Sequence, residues 1–301
     1  MTGPAAARWR KLVRGRRAEM ERLQPGRGAI GPALWDARAK RFASRMGLST
    51  AAGDPLYRRL RRATTRRSTV IDVGAGPGRF TLTLAPHVAA VTAVDFSRGM
   101  LDVLRRQARA LGLTNVTCVH GPWQDVYVEP ADVAFSSYVL TLVTDAPAFL
   151  ARMDASATER AFLYLGAYTA DAILDPFWRH FHGSSRKPGA TYLDAVDVLR
   201  EMGLSPTTEV VEVASRTRYK TVAAAAKEYR EQLCLPDTPE IRKELRGLLA
   251  DWLVPRGDAL GAPLKTVPAA IICWSPSGTR TWSQNRDRRP PIGPDRVVTE
   301  H

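Results

Sequence analysis

Five residues carry the chemistry legible in this chain: Asp72, the glycines Gly74, Gly76 and Gly78 at alternate positions, and Asp95. Alternate glycines let a backbone turn sharply and approach a bound molecule with no Cβ in the way, and a helix that starts after them points free N–H groups at the same space. Asp95 closes the next apolar run, where a carboxylate accepts hydrogen bonds from both hydroxyls of a ribose. Asp72, two residues ahead of the first glycine, repels a pyrophosphate and attracts an ammonium or a sulfonium. A dinucleotide fingerprint also asks for glycine at its sixth position, to let helix and strand pack closely, and Arg79 stands there. The residues therefore disfavour a nicotinamide dinucleotide and suit a methionine-like cation that carries a ribose. A tight turn between strand and helix would write the same glycines without a ligand.

Positioning these groups requires a strand, a turn and a helix, and the stretch Val70 to Phe80, VIDVGAGPGRF, has that form. Strands and helices then alternate: helix from Arg79, strand Ala90 to Asp95, helix Arg98 to Leu111 capped by Ser97, strands Val116 to Val119 and Asp132 to Ser136, helix Ala146 to Met153, strand Ala161 to Leu165. Such alternation predicts a parallel sheet with helices on both faces, whose ligands sit beyond the carboxyl ends of the strands. That places Asp72, Asp95 and Ser136 around one crevice. Farther on, the pattern predicts a helix from Asp194 to Met202, a strand from Glu209 to Ala214 and a last strand from Val267 to Trp274. Two helices at about 221–253 lie between these strands and read as a lid over the acceptor.

The string from Asp72 to Gly78, followed by Asp95-Phe96-Ser97 and Met100-Leu101, resembles the class I S-adenosylmethionine-dependent methyltransferases over roughly Thr69 to Gly166. The resemblance implies a Rossmann-like α/β fold: a seven-stranded, mostly parallel sheet with an antiparallel last strand, flanked by helices. It implies S-adenosylmethionine as cofactor. The methionine end would lie on Asp72, Gly74 and Gly76, the ribose on Asp95, and the adenine against Phe96 and Met100, with Ala75, Gly78 and Ser136 also in the cofactor site. Relatives often read Gly-Asp-Ala after the third strand, where this chain has Gly121-Pro122-Trp123-Gln124. Pro122 has no N–H to donate, so Trp123, by stacking, and Gln124 or Asp125, by a polar contact, are the candidates there; Trp123 packed on the sheet edge is the competing reading.

The acceptor is read mainly from exclusions. The Asn/Asp-Pro-Pro-aromatic motif of enzymes that methylate exocyclic base nitrogens is missing at Ser136-Ser137-Tyr138-Val139, and none of the three cysteines follows a proline, as 5-methylcytosine chemistry usually asks. A small-molecule acceptor is expected, with nucleic acid as the alternative partner and a non-catalytic module that binds the cofactor as a further one. The segment after the fifth strand carries Phe177, Trp178, Phe181 and Tyr192 beside Arg179, His180 and His182, and reads as the acceptor site; His180 and His182 are the candidates for a general base. A surface histidine pair is the alternative. Methyl transfer to an acceptor that is already nucleophilic needs no base.

Composition bounds the rest. The 301 residues are 45% hydrophobic, enough for one sizeable core. No stretch reaches the roughly 18 to 20 apolar residues of a membrane span. Cys118, Cys234 and Cys273 show no metal-ligand spacing, and an odd number of cysteines fits a reducing, cytoplasmic setting; no metal site is expected. The net charge is +14, and residues 1–68 hold 18 Lys and Arg against 4 Asp and Glu, so the whole excess precedes the glycine loop. Residues 1–30 read as a flexible basic arm, 31–68 as cap helices, 69–275 as the catalytic domain and 276–301 as a disordered, Arg/Pro-rich tail. Trp35 and Arg38 on the helix Leu34 to Met46 either reach the pocket or anchor that helix on the core.

Overall fold

A computed structural model describes residues 3–26, 31–45, 51–167, 171–215, 217–277 and 295–296. The apolar run before the glycines forms strand β1 (Thr69–Val73), and parallel β2 (Ala90–Asp95) and β3 (Val116–His120) extend the sheet to one side of it. The chain then returns across β1. Strands β4 (Ala131–Ser137) and β5 (Ala157–Gly166) lie in parallel on the other side, which makes the carboxyl end of β1 the point where the strand order reverses.

Strand β6 (Thr207–Ala214) forms the far edge, and the last long strand, Thr266–Trp274, inserts antiparallel between β5 and β6. This is the seven-stranded, mostly parallel sheet expected. A separate hairpin, β7 (Val254–Arg256) and β8 (Ala259–Gly261), precedes that last long strand, here β9; β10 (Asp295–Arg296) adds two residues antiparallel to β3. The rest of the tail expected over 276–301 lies largely outside the described residues.

Two cores cover the two faces, because β-strand side chains alternate. On one face Ile71, Val73 and Leu163 pack under α6 (Ala146–Ser156), α8 (Tyr192–Glu201) and α1 (Pro4–Leu23); on the other Val70, Phe135 and Phe162 pack under α3 (Pro55–Ala63), α4 (Arg79–Leu84) and α5 (Arg98–Ala110). Helix α2 (Pro32–Arg45) lies on α5. A third core joins α7 (Asp171–His182), α9 (Val222–Gln232) and α10 (Pro239–Trp252) through Trp178, Tyr229, Leu245 and Leu249. Among the described residues no helix is long and apolar enough to cross a membrane.

The flexible basic arm is corrected by α1. Trp9 and Val13, four residues apart and so on one helix face, are buried in the main core, and the Trp9 Nε1–H donates to the Val143 carbonyl at 2.8 Å. Arg8 pairs with Asp194 and Asp197, and Arg10 with Asp145, so part of the basic excess is spent on acids of the domain itself. Burial of one aromatic face, which a charge count does not register, decides the matter. Replacing Trp9 by Ala should cost about 3 to 5 kcal/mol of stability in denaturant unfolding; a loss under about 1 kcal/mol would show that α1 is not docked.

Candidate functional site

The three glycines of the turn all take left-handed backbone, with φ of 75° at Gly74, 55° at Gly76 and 89° at Gly78, as their residue type permits. Their reasons differ. A Cβ on Gly74 would fall 2.3 Å from Val139 Cγ2, and one on Gly78 2.7 Å from Leu104 Cγ, so these two permit close packing against β4's outgoing loop and α5. A Cβ on Gly76 would meet nothing within 4 Å: it would project into open space.

That space is a half-open cavity of about 800 Å3 at the reversal point of the sheet. Its walls include Asp72, Gly74, Ala75, Gly76, Asp95, Phe96, Met100, Trp123 and Gln124, so nine of the residues chosen from sequence converge on it. Trp35 lines it too; the side chain of Arg38 lies outside the described residues. Trp123 both faces the cavity and packs: it is buried, its ring lies 6.4 Å from that of Phe149, and the Arg152 guanidinium stands over it at 4.6 Å.

Both carboxylates are buried. Asp95 Oδ2 accepts from the Gly76 N–H and Oδ1 from the Ser97 N–H, each at 2.8 Å, so this side chain ties the turn after β1 to the end of β2. Burial pushes the Asp95 carboxyl above its usual range, opposed by these two N–H donors. Asp72 Oδ2 accepts from the Thr81 hydroxyl at 2.6 Å. Burial, helped by the charge of Asp95 and opposed by Thr81, raises Asp72 to about 7. A cation arriving between two such groups is favoured twice, since it restores to each the ionised form that burial penalises.

Five sequence expectations are corrected. Ser136 does not line the cavity: its hydroxyl donates to the Val73 carbonyl at 2.9 Å, and the strand alternation brings Ser137 to the wall instead. Gly78 packs against α5 and is not a wall residue. His180 and His182 stand away from the cavity. His180 Nε2 lies 2.7 Å from Glu244 Oε1 of α10, and His182 Nε2 lies 2.8 Å from the Leu233 carbonyl after α9. Phe177 and Trp178 are absorbed by the same third core, and Arg179 pairs with Asp175, so the aromatic segment read as an acceptor site is helix packing. Helices α9 and α10, read as a lid, contribute no wall residue among those described.

Sequence reasoning missed other groups. Tyr138, at the end of β4, has a φ of 59°, unusual for a residue with a Cβ, and it lines the cavity with its ring 5.1 Å from that of Tyr164. Asp54 caps α3 through the Leu56 N–H and pairs with the buried Arg79 at 2.8 Å, which is what the arginine in place of the sixth glycine does. The Asp54-Pro55 step, an N-cap acid before a proline, was the available signal. Asp36 of α2 accepts from Ser97 Oγ at 2.5 Å and the Gly99 N–H at 2.8 Å, which fastens α2 beside the cavity.

A family model described as a methyltransferase domain matches residues 70–158. An uncharacterised protein of Haemophilus influenzae is 30% identical over 189 residues, 62% of this chain and 69% of that protein. Among solved structures, one described by the conversion of a disulfide bond into a thioacetal group during echinomycin biosynthesis is similar with a TM-score of 0.53 at 17% identity, covering 83% of this chain and 94% of its own. A geranyl diphosphate methyltransferase in complex with S-adenosylmethionine matches with a TM-score of 0.47 at 15% identity, over 83% of this chain and 93% of its own.

The buried acid makes a prediction about stability. Asp72 has a folded-state pKa of about 7 against roughly 3.9 when unfolded, so between these values the native state holds the extra proton. Its contribution is therefore greatest at low pH and is lost as pH rises from about 4 to 7. Asp72→Asn should flatten that fall in a comparison of unfolding midpoints with wild type across this window; parallel curves would refute the raised pKa.

Proposed function

The chain belongs to the class I S-adenosylmethionine-dependent methyltransferases, and we propose that it transfers the cofactor's methyl group to an oxygen, nitrogen or carbon nucleophile of a small molecule. The observation that carries this reading is the cavity at the sheet reversal, where two buried carboxylates and the open space beside Gly76 meet apolar walls. The fit to the cofactor is chemical. Asp72 suits its ammonium end, Asp95 its ribose hydroxyls, Gly76 leaves room for it to lie against the backbone, and Phe96, Met100 and Trp123 offer apolar faces to its adenine.

When bound, S-adenosylmethionine supplies an electrophilic methyl group on a sulfonium. The protein's part is to hold the acceptor nucleophile in line with it, and alignment of this kind supplies several kcal/mol on its own. Tyr138, Val139, Leu142, Val143, Val213 and Val267 form an apolar stretch of the remaining wall, beside the polar Ser137, Thr144 and Asp145, and that stretch favours an acceptor with an apolar body. Among the described residues that wall carries no histidine, lysine or cysteine, so the reading gives His180 and His182 no part in the transfer.

A small molecule is favoured over RNA because Trp35 and Arg17 of the two N-terminal helices reach into the cleft, while Arg8 and Arg10 of α1 are already paired with acids. Incubation of the protein with methyl-labelled cofactor and a cell extract should put label in the small-molecule fraction with weak salt dependence. Label in RNA, with transfer falling steeply as salt rises, would reverse this reading.

Calorimetric titration should give micromolar binding of S-adenosylmethionine and S-adenosylhomocysteine and none of NADH. Asp95→Ala should weaken S-adenosylhomocysteine binding by about 1 to 3 kcal/mol through lost charge-assisted hydrogen bonds, and Gly76→Val should abolish it by filling the open space. Unchanged affinity in both variants would move the cofactor elsewhere.

A further inference from the structure

Arg17 is a cation of which the fold uses one donor and the cofactor reading none. It stands on α1, lines the cavity and is held at its tip by an Nη2–H that donates to the Leu142 carbonyl. Its Nε–H is buried and meets no acceptor, and among the described residues no carboxylate pairs with it. The other arginine of the wall, Arg79, is bound to Asp54 inside the core. Partial burial draws the Arg17 pKa down.

A buried charged donor left unmade is costly, so an arginine kept there calls for an anion. The setting says which molecule brings it. Trp9 and Arg17 both donate to carbonyls of Leu142 and Val143, so α1 is docked on the segment that follows β4, beside the apolar wall of Tyr138, Val139, Leu142 and Val143. The acids that suit the cofactor, Asp72 and Asp95, belong to the ends of β1 and β2.

Resting on the methyltransferase reading, we propose that Arg17 binds an anionic group, a carboxylate or a phosphate, of the methyl acceptor. The planar guanidinium offers the Nε–H and its neighbouring Nη–H groups to two oxygens at once, a match for either anion that a lysine lacks. The acceptor class follows: an apolar body that carries the nucleophile, with one acidic group at the end nearest α1.

The test uses the full chain loaded with S-adenosylhomocysteine, so a wild type that fails to bind this product defeats the methyltransferase reading before Arg17 is reached. Octanoate and benzoate are titrated calorimetrically against octanol and benzyl alcohol. The acids are expected to bind the loaded wild type at least about tenfold more tightly than the alcohols. Arg17→Gln should erase that preference, and Arg17→Lys should retain part of it. Cofactor affinity is measured in Arg17→Gln with S-adenosylhomocysteine and with 5′-methylthioadenosine, which lacks the amino-acid end. Both should match wild type within about twofold. Loss of S-adenosylhomocysteine binding with 5′-methylthioadenosine unchanged would assign Arg17 to the cofactor's own carboxylate and overturn the proposal. A loaded wild type with no preference for acid over alcohol, or an Arg17→Gln protein that keeps the preference, would overturn it as well.

Discussion

The structure depends on one tie: the turn after β1 is bound to the end of β2. The Gly74 and Ala75 N–H groups donate to the Val94 carbonyl at 2.8 and 3.0 Å, and the Gly76 N–H donates to Asp95. Three backbone donors are thereby satisfied at the point where two parallel strands stop pairing and their polar groups would otherwise be orphaned. Left-handed backbone at Gly74 and Gly76 makes this path available, and the cavity is the space enclosed between that turn and the segment leaving β4.

The tie also sets the electrostatics. Bringing the ends of β1 and β2 side by side brings Asp72 and Asp95 into the same buried region, where burial penalises the ionised form of both and the charge of Asp95 adds to the cost of ionising Asp72. Thr81, Ser97 and Gly76 return part of that cost through hydrogen bonds. What remains is a wall poised for positive charge, an arrangement that a fold selected for stability alone would avoid.

The N-terminal helices complete the wall from outside the sheet. Helix α2 is fastened by Asp36 to Ser97 and Gly99 at the start of α5, and α1 is fastened by Trp9 and Arg17 to carbonyls after β4. Each anchor reaches a segment that follows a strand end lining the cavity. These helices therefore belong to the site as much as to the fold, and their basic residues divide between ion pairs with the domain, such as Arg8 with Asp194, and Arg17, which faces the cleft.

Local pattern sufficed for what depends on neighbours in the chain. The β-branched run at Val70–Val73, the alternate glycines and the acid ending β2 are readable because strand, turn and helix each impose a short period on residue type, and from them follow the parallel sheet, the crevice and many of the residues that line it. Tertiary structure decided the rest, because those contacts join residues far apart in sequence. It paired Arg79 with Asp54, turned Ser136 inward to the Val73 carbonyl, and drew His180 and His182 to the helices after β6. It also converted a segment that reads as a solvated basic arm into a helix buried through Trp9. Charge and aromatic content are visible in one dimension; which face of a helix meets which surface is set only when the whole chain packs.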